Sequence, residues 1–445
     1  MFVASPPDFD ELLSDLVSRS DRMVAVLGAV TPEEGGYIHW DRLRYLDPPG
    51  DLTHEEWWFA LKWGRRPLLR TFPLTASDGR RFAYSTPDPV LRSLHQVDQR
   101  CSGEIAMPEV VTADDQARQH YLVNSLMEEA IRSSQLEGAT TSRRVAKDLL
   151  RSGRAPKDRS ERMILNNYRA LQFMREVGSE LAPATVLELH RIVTEGTLED
   201  PGAAGRLQTP GDERVAVFDR DTDRVLHRPP PAEQLPDRLV ALCEFANEDQ
   251  DSERFIHPVI RAILLHFWLA YDHPFEDGNG RTARALFYWY MRTRGYWLVE
   301  YLSVSRILAD APSKYAKAFL LTETDDQDAT YFIIYQLQVI ERAVAELHEY
   351  LDRKVREIRD VEQLMKAGSD EFNHRQVALL AHATRNPSQT YTFQSHAASH
   401  AVTHETARND LLPLLEKGLL ERRRVGRKHL FSAHPRLAER LTRVH

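Results

Sequence analysis

The sequence predicts a mainly α-helical protein with a small mixed α/β domain at its amino end and a separate basic module at its carboxyl end. The length of 445 residues is two to three times that of an ordinary domain. Through the middle of the chain, apolar residues recur at spacings of three and four, the period of an amphipathic helix. Residues 369–445 contain 12 Lys and Arg against 7 Asp and Glu, whereas the whole chain has a net charge of −8. The last segment is therefore predicted to be a module of its own.

Composition excludes several classes of protein. Apolar residues make up 42% and charged residues 28%, as in ordinary soluble globular proteins. With only Cys101 and Cys243, the chain has neither a disulfide framework nor a cysteine-based zinc cluster, which suits a reducing cytosol. The amino end lacks the basic segment of a signal peptide. The most apolar run, residues 262–271, is too short to cross a bilayer. We expect a cytoplasmic protein that does not contact membranes.

The first domain is expected to span residues 1–112. Thr53 and Glu56 have the spacing of a capping box at the start of a helix. Residues 72–84 alternate around Asp78-Gly79, which predicts a β-hairpin. Four of the seven tryptophans lie in this domain. They are interpreted as core rather than as a ligand cage, because no convergent polar group accompanies them.

The second domain is expected to span residues 113–367 and to be helical. A stripe of small and apolar side chains runs along its first helix, formed by Leu122, Leu126, Ala130 and Ser133. One stretch, residues 213–231, breaks the helical pattern. Its two short apolar runs flank a polar turn and end at three prolines, which predicts a second β-hairpin.

A dense group of glycine and charged residues lies between two helical patterns of this domain, in the segment 273–284, His-Pro-Phe-Glu-Asp-Gly-Asn-Gly-Arg-Thr-Ala-Arg. Gly278 and Gly280 let the backbone turn tightly and approach a ligand closely. The turn leads directly into a helix, whose free N–H groups and dipole favour an anion. Arg281 and Arg284 share a helix face, which suits a polyphosphate.

Two further residues of the segment complete a reaction centre. Asp277 offers a hard oxygen to Mg2+, which accompanies such phosphates. His273 titrates near neutrality, so it can take a proton from an attacking hydroxyl. Together these parts describe phosphoryl or nucleotidyl transfer to an alcohol. The plainer alternative is a helix–helix turn with a glycine cap and surface arginines. It requires eight specified positions to coincide by chance, an event on the order of one in 10^7.

The segment resembles the signature of the Fic family, His-x-Phe-x-(Asp/Glu)-Gly-Asn-Gly-Arg-x-x-Arg, and the motif is complete. The resemblance extends over residues 115–350. It implies transfer of AMP from ATP to a Ser, Thr or Tyr hydroxyl of a protein. It also implies that the hairpin at 213–228 is the family's flap, which holds a target segment by strand addition. The Doc-like kinase branch has Lys at the position of Gly280, so its inverted nucleotide pose is disfavoured.

The resemblance also implies a role for each residue of the motif. His273 would be the general base and Phe275 a core anchor. The glycines at 278 and 280 would line the nucleotide. The remaining assignments are Mg2+ to Asp277, the α-phosphate to Asn279, and the outer phosphates to Arg281 and Arg284.

A second segment, Ser133-Ser134-Gln135-Leu136-Glu137-Gly138, ends the first helix of this domain. Glu137 continues the apolar stripe and so points inward, where a carboxylate needs a partner. Ser133 is one turn earlier and is expected to bond it. A carboxylate at the rim of a helix end is the simpler interpretation.

The segment also resembles the inhibitory motif (Ser/Thr)-x-x-x-Glu-(Gly/Asn) of Fic proteins. That resemblance implies that Glu137 pairs with Arg284 and bars the productive ATP pose; in some relatives the same glutamate assists AMP removal.

The carboxyl-terminal domain, residues 369–445, resembles a winged helix-turn-helix. Helices are expected at 393–398 and 403–415, although Pro413 favours an early end of the second. The basic stretch 422–428 is expected to form the wing. Such folds bind DNA or dock proteins, and the sequence favours neither. Three histidines lie four residues apart across the turn. They do not share a face, so zinc is not favoured; they are His396, His400 and His404.

The leading hypothesis is a self-inhibited protein adenylyltransferase that uses Mg-ATP. Its partner is a target protein of unknown identity, with the chain itself as a second target, and a homodimer is left open. Two alternatives remain. One is a DNA-binding regulator whose Fic domain only senses nucleotide, and the other is an enzyme that removes AMP at the same site.

Overall fold

The computed structural model describes residues 3–29, 36–102, 115–212, 214, 217–218, 225–249, 255–367, 372–387, 389–425 and 428–444. Contacts group the chain into two compact units. One joins Met1–Ile105 with Leu122–Val344, and the other joins Ala106–Tyr121 with Ala345–His445. The domain boundaries predicted from the sequence, at 112–113 and 368, lie outside the described residues.

The amino-terminal part of the first unit is mixed α/β. Its helices are α1 (Phe9–Ser18), α2 (Ser20–Gly28), α3 (Trp40–Leu43), α4 (His54–Arg65) and α5 (Asp88–Cys101). Thr53 and Glu56 form the predicted capping box at the start of α4. The predicted hairpin is also present, because β1 (Arg70–Thr75) pairs antiparallel with β2 (Arg81–Tyr84). Trp57 and Trp58 are buried in a hydrophobic core and Trp40 packs against it, as expected, whereas Trp63 is 43% exposed and is not part of that core.

The rest of the first unit is predominantly helical. Its helices, of which the first and the last each have a part assigned to the second unit, are α6 (Asp115–Leu136), α7 (Arg143–Ser152), α8 (Arg159–Glu176), α9 (Pro183–Thr194), α10 (Leu235–Asn247), α11 (Pro258–Asp272), α12 (Asn279–Thr293), α13 (Val304–Asp310), α14 (Pro312–Thr324) and α15 (Thr330–Ala367). A short hairpin interrupts them, in which β3 (Val217–Phe218) pairs antiparallel with β4 (Val225–His227). It falls where the sequence predicts one, and residues 219–224 lie outside the described part.

Helices α11 and α12 pack closely against each other and form the centre of this unit. Every residue from Val259 to Leu269 is at most 2% exposed, so the apolar run predicted as a buried helix is one. A helix buried on all sides places the residues at its end at fixed positions, because close packing leaves it no room to shift. Within the described residues, no helix has the length and apolar character needed to span a membrane.

The second unit contains the carboxyl-terminal module. Its elements in chain order are α16 (His374–Arg385), β5 (Thr390–Tyr391), α17 (Phe393–His400), α18 (His404–Glu416), β6 (Leu420–Val425), β7 (Lys428–Ala433) and α19 (Leu437–Val444). The strands form an antiparallel sheet in the order β5-β7-β6. This order of helices and strands is the one expected for a winged helix-turn-helix.

Pro413 does not end α18, contrary to the expectation from the sequence. The helix continues to Glu416, and the carbonyl of Pro413 accepts from the N–H of Lys417 at 2.9 Å. A proline removes one backbone hydrogen bond, but Leu411 and Leu414 beside it are completely buried. The packing of these side chains therefore holds the helix through the proline.

Candidate active site

The segment that carries the predicted chemistry joins the end of α11 to the start of α12. His273 follows the last residue of α11 directly, and its N–H donates to the carbonyl of Leu269 at 3.0 Å. Its φ is 45°, a left-handed conformation that is uncommon for residues other than glycine. Gly278 precedes α12 with a φ of 84°. The segment therefore reverses direction within five residues, and the free N–H groups of α12 face the turn.

Asn279 holds this turn in shape from within. Its side-chain carbonyl accepts from the N–H of Phe275 at 2.9 Å, and its amide donates to the carbonyl of Phe275 at 2.8 Å. Phe275 is completely buried, as the core-anchor interpretation requires. The Asn279 amide, expected to contact an α-phosphate, is thus engaged with the backbone of its own loop.

His190, on α9, supports the turn from outside the motif and was not singled out from the sequence. Its ring stacks on Phe275 with centroids 3.7 Å apart. Its Nδ1 accepts from the N–H of Gly205 at 3.0 Å, so its Nε2 carries the hydrogen that donates to the carbonyl of Asp277 at 2.9 Å. Burial lowers the pKa of His190 to about 4, so the ring is neutral. Hence this histidine fixes the main chain of Asp277.

The glycines allow two close approaches. A Cβ at Gly278 would lie 2.8 Å from Cγ2 of Thr194 on α9. A Cβ at Gly280 would lie 2.1 Å from Oε1 of Glu137. Both distances are far below van der Waals contact, so any side chain here would displace its neighbour. The second approach shows that Glu137 lies directly against the first turn of α12.

Glu137 and Arg284 come together as the sequence predicts. Nη2 of Arg284 donates to Oε1 of Glu137 at 2.8 Å. Arg284 is 2% exposed, whereas the side chain of Glu137 is 28% exposed. Burial disfavours the guanidinium charge, but the neighbouring Glu137 carboxylate outweighs it and raises the pKa of Arg284. Nη1 of Arg284 is buried and has no hydrogen-bond partner within the part of the chain that the structure describes.

Ser133 contacts Arg284 and not Glu137, which corrects the expected Ser133–Glu137 bond. Nε of Arg284 donates to the Ser133 hydroxyl at 2.9 Å, and Nη2 donates to the Ser133 carbonyl at 3.0 Å. The reason is local geometry. Helix α6 ends at Leu136 and Gly138 has a φ of 97°, so Glu137 lies beyond the last regular turn. The two side chains therefore do not keep the i, i+4 relation of a helix.

Helix α6, which ends directly before Glu137, is anchored to the core by a buried carboxylate. Glu129 accepts from the Tyr288 hydroxyl of α12 at 2.9 Å and from the Ser305 N–H of α13 at 3.0 Å. Burial raises the pKa of Glu129, and these donors offset part of that effect. Glu137 is thus presented to α12 by a helix attached to α12 itself.

Asp277 and Arg281 pair with each other. Nη2 of Arg281 donates to Oδ1 of Asp277 at 3.1 Å, and Nη1 donates to the Val193 carbonyl at 3.3 Å. Arg281 is completely buried, and burial lowers its pKa. On the other side, Arg159 donates to Oδ2 of Asp277 at 3.1 Å. Arg159 belongs to α8 and was not singled out from the sequence.

The residues around Asp277 fit a magnesium ion only as a partial site. Among the described residues, no cluster of three or more His, Cys, Asp or Glu side chains could enclose a metal. Mg2+ is commonly bound by one or two carboxylates together with substrate phosphates and water. The Asp277 side chain is 34% exposed, so it can provide one such oxygen if Arg159 releases it. The phosphates of a nucleotide would have to supply the rest.

Contrary to the expectation from the sequence, His273 does not titrate near neutrality, but it has the protonation state that a base requires. Burial, followed by the charge of His227, lowers the pKa of His273 to about 4, so its ring is neutral at pH 7. Arg214 holds its main chain, with Nη1 donating to the His273 carbonyl at 3.1 Å and Nη2 to the Asp272 carbonyl at 2.8 Å. Neither Arg214 nor His227 was singled out from the sequence.

Comparison with known proteins identifies the family that the chain resembles. Residues 180–291 match the model of the Fic/DOC family. The chain is 31% identical over 169 residues to protein adenylyltransferase fic-1 of Caenorhabditis elegans, which covers 36% of this chain and 30% of that protein. It is 38% identical over 101 residues to protein adenylyltransferase Fic of Nematostella vectensis, which covers 23% of this chain and 20% of that protein. The chain thus spans less than a third of the length of these relatives.

A solved structure also has a similar fold. A Fic family protein from Desulfovibrio desulfuricans G20 superposes with a TM-score of 0.50 at 18% identity, over 78% of this chain and 95% of that one. At this identity the similarity concerns the fold alone. The resemblance to the Fic family and the mainly α-helical fold, both predicted from the sequence, are therefore confirmed.

Proposed function

The chain carries a Fic domain, and on that premise we propose that it is a self-inhibited protein adenylyltransferase that moves AMP from Mg-ATP to a hydroxyl of a target protein. The aligned relatives bear the name adenylyltransferase. The observation that carries the proposal is the meeting of Glu137 and Arg284 at 2.8 Å above the first turn of α12. An internal anion there lies where the phosphates of a nucleotide would bind.

The start of α12 supplies the phosphate site. Its first N–H groups are unpaired within the helix and its dipole is positive at this end. Gly280 lets a phosphate approach the backbone as closely as the Glu137 carboxylate now does. Arg281 and Arg284 add two buried cations, which interact strongly with an anion because little water screens them. Mg2+, held through Asp277 and the phosphates, would neutralise part of the negative charge of the phosphates.

His273 supplies the proton transfer. The target hydroxyl oxygen attacks the α-phosphorus, and the bond from that phosphorus to the oxygen bridging to the β-phosphate breaks. AMP becomes attached to the target and pyrophosphate leaves. The neutral ring of His273 accepts the hydroxyl proton as the new bond forms. The loop geometry set by Asn279 and His190 holds the groups in position, so little reorganisation is needed.

Self-inhibition follows from competition for Arg284. A phosphate oxygen that binds this guanidinium must displace Glu137, which is tethered and therefore present at high effective concentration. Glu137 is partly exposed, so water can solvate the carboxylate once it leaves. Displacement is therefore feasible, but it reduces the affinity for the productive nucleotide pose.

Covalent labelling tests the proposal. The full chain is incubated with ATP labelled at the α-phosphate, and separately at the γ-phosphate, as wild type and as Glu137→Gly. Glu180→Gly, at an exposed loop position, serves as the matched control. We expect retention of the α-label alone, increased in Glu137→Gly and unchanged in the control. Retention of the γ-label would indicate a kinase. Absence of both labels would favour a nucleotide sensor, and loss of AMP from a modified chain would indicate the reverse reaction.

The carboxyl-terminal module supports a second proposed function, which is binding of DNA phosphates. Strand β6 lies at the edge of its sheet, and three consecutive arginines on it are exposed. They are Arg422, Arg423 and Arg424. Arg423→Ala is expected to weaken DNA binding similarly at all sequences and to reduce the salt slope by about one. Absence of DNA retention at low salt would favour the alternative of protein docking.

A further inference from the structure

His227, the last residue of β4, lies between two hydrogen-bond acceptors. Its Nδ1 is 2.8 Å from Oε2 of Glu323 on α14, and its Nε2 is 2.7 Å from the carbonyl oxygen of Tyr271 on α11. A backbone carbonyl can only accept, and an ionised carboxylate can only accept. Both ring nitrogens must therefore carry hydrogen. This geometry describes a charged imidazolium.

Arg214, on the other side of the β3–β4 hairpin, binds the next two carbonyls along the same helix end. Its guanidinium donates to the carbonyls of Asp272 and His273. The last carbonyls of a helix have no partner within it, and that end of the helix dipole is negative. Three consecutive carbonyls at the end of α11, from Tyr271 to His273, are thus bound by two cations.

We propose that Arg214 and His227 form a two-cation clamp that fixes the main chain of the catalytic base and both ends of the hairpin. Neither side chain touches the reacting atoms, so both are positioning residues. The inference rests on the proposed function for its catalytic consequence, but the protonation state of His227 does not depend on it. The clamp also couples target presentation to catalysis, because the same contacts hold the hairpin and His273.

The groups around His227 agree with its charge. Burial opposes the imidazolium, but the Glu323 carboxylate and the Tyr271 carbonyl outweigh burial and raise the pKa of His227. The Tyr271 ring lies 4.6 Å from the His227 ring, and burial raises the pKa of Tyr271 to about 12, so that ring is neutral. Asp272 is paired with the buried Arg238. His273 is neutral at pH 7, and the charge of His227 helps to keep it so.

The sign of the pH dependence follows from this shift. A histidine whose folded pKa is raised contributes stability fully below its ordinary pKa of about 6.5, and that contribution is lost as the pH rises through the folded value. The His227 half of the clamp therefore weakens at alkaline pH. The Arg214 half persists, because guanidinium does not lose its proton in this range.

Nuclear magnetic resonance of the histidine rings tests the charge without reference to activity. The His227 signal is assigned as the one missing from His227→Gln, with His95→Gln as the control at an exposed site. We expect an imidazolium at pH 7 and a titration midpoint above about 6.5. Glu323→Gln should lower that midpoint. A neutral ring at pH 7, or a midpoint that Glu323→Gln leaves unchanged, would overturn the inference.

Labelling with α-labelled ATP tests the catalytic consequence in the Glu137→Gly background. His227→Gln should lower the rate about tenfold, because small misplacements of catalytic groups cost one to two orders of magnitude. Nucleotide affinity should change little. We expect the rate of Glu137→Gly to fall at alkaline pH and this fall to be absent after His227→Gln, whereas substitution of a residue of only structural importance would leave the fall in place. Glu323→Gln, which preserves side-chain size, should shift the alkaline fall in rate to lower pH. An unshifted fall in rate, together with full activity, would contradict the clamp.

Discussion

The two helix ends on either side of the 273–278 turn are occupied in opposite ways. At the start of α12, the partner is an internal carboxylate, Glu137, whose side chain is 28% exposed and is held by one arginine. At the end of α11, the partners are cations, of which His227 is 8% exposed and bound through both ring nitrogens. Each arrangement matches the dipole at its end. The first, however, places a protein group where a substrate anion would bind, and the second occupies only backbone carbonyls.

This difference indicates which contact is built to be exchanged. A partly exposed carboxylate can return to water at small cost, and the cation that it leaves can bind phosphate instead. A buried imidazolium that left its two acceptors would strand the carbonyl of the buried Tyr271, and it would also leave Glu323, whose side chain is 21% exposed, without this partner. We therefore expect substitutions at the end of α11 to lower activity, and removal of the Glu137 carboxylate from the start of α12 to raise it.

The largest effect is expected at the end of α11. His273→Ala removes the neutral base and should lower the transfer rate about 10^2-fold or more, while nucleotide binding persists. The comparison is made in the Glu137→Gly background, by α-label incorporation and by nucleotide titration. Parallel loss of nucleotide binding would mean that His273 holds the substrate rather than the proton. Full activity would remove His273 from the mechanism.

A change in the opposite direction, an increase in the transfer rate, is expected at the start of α12. Glu137→Gly should raise label incorporation by about tenfold to a hundredfold, since a hydrogen bond between charged groups contributes roughly 1.5–3 kcal/mol. Glu137→Gln should activate less, because its amide can still accept from Arg284 but has no charge. Arg284→Ala should not activate, because it removes the proposed phosphate contact together with the brake, by which we mean the inhibitory pairing of Glu137 with Arg284. A rate in Glu137→Gly below that of wild type would instead indicate that this carboxylate takes part in AMP removal.

The sequence predicted these two ends unequally. The residues 273–284 form one continuous segment, so their types and spacing predict an anion site and a base without knowledge of the fold. The pairing of Glu137 with Arg284 was predicted from the resemblance of two motifs, and the structure places them together. The expected bond from Ser133 to Glu137 was wrong, because the helix ends before Glu137.

The supporting residues could not be predicted from the sequence. His190, Arg214 and His227 bind backbone carbonyls 44 to 87 residues away along the chain. Every residue type has a backbone carbonyl, so such a bond leaves no pattern of partner residues in the sequence. Arg159, which binds Asp277 from 118 residues away, is one of several basic residues around the start of α8.

The dependence of the transfer rate on pH tests the burial of His273 at the end of α11. His273 has its pKa lowered from 6.5 to about 4, chiefly by burial, so its base form persists well below neutrality. A histidine with an ordinary pKa of about 6.5 would be only about one-tenth neutral at pH 5.5. We therefore expect Glu137→Gly, which lacks the brake, to keep most of its rate at pH 5.5. A tenfold fall between pH 7.5 and 5.5 would show that the base is not buried as described.

The smallest effect should come from Ser133→Ala, which tests how many contacts make up the brake. The Ser133 hydroxyl accepts from Nε of Arg284 at 2.9 Å, while its carbonyl and Glu137 both accept from Nη2. The substitution removes one of these three acceptors and keeps the charge of Glu137. One hydrogen bond contributes roughly 1 kcal/mol, so the rate should change by no more than about fivefold.

If Ser133 only steadies Arg284 for Glu137, Ser133→Ala should have little effect in the Glu137→Gly background. If it instead orients Arg284 for phosphate, the double variant should be slower than Glu137→Gly alone. Label incorporation by the two single variants and the double variant distinguishes these outcomes. Activation by Ser133→Ala as large as that by Glu137→Gly would mean that the serine, and not the carboxylate, is the main restraint on Arg284.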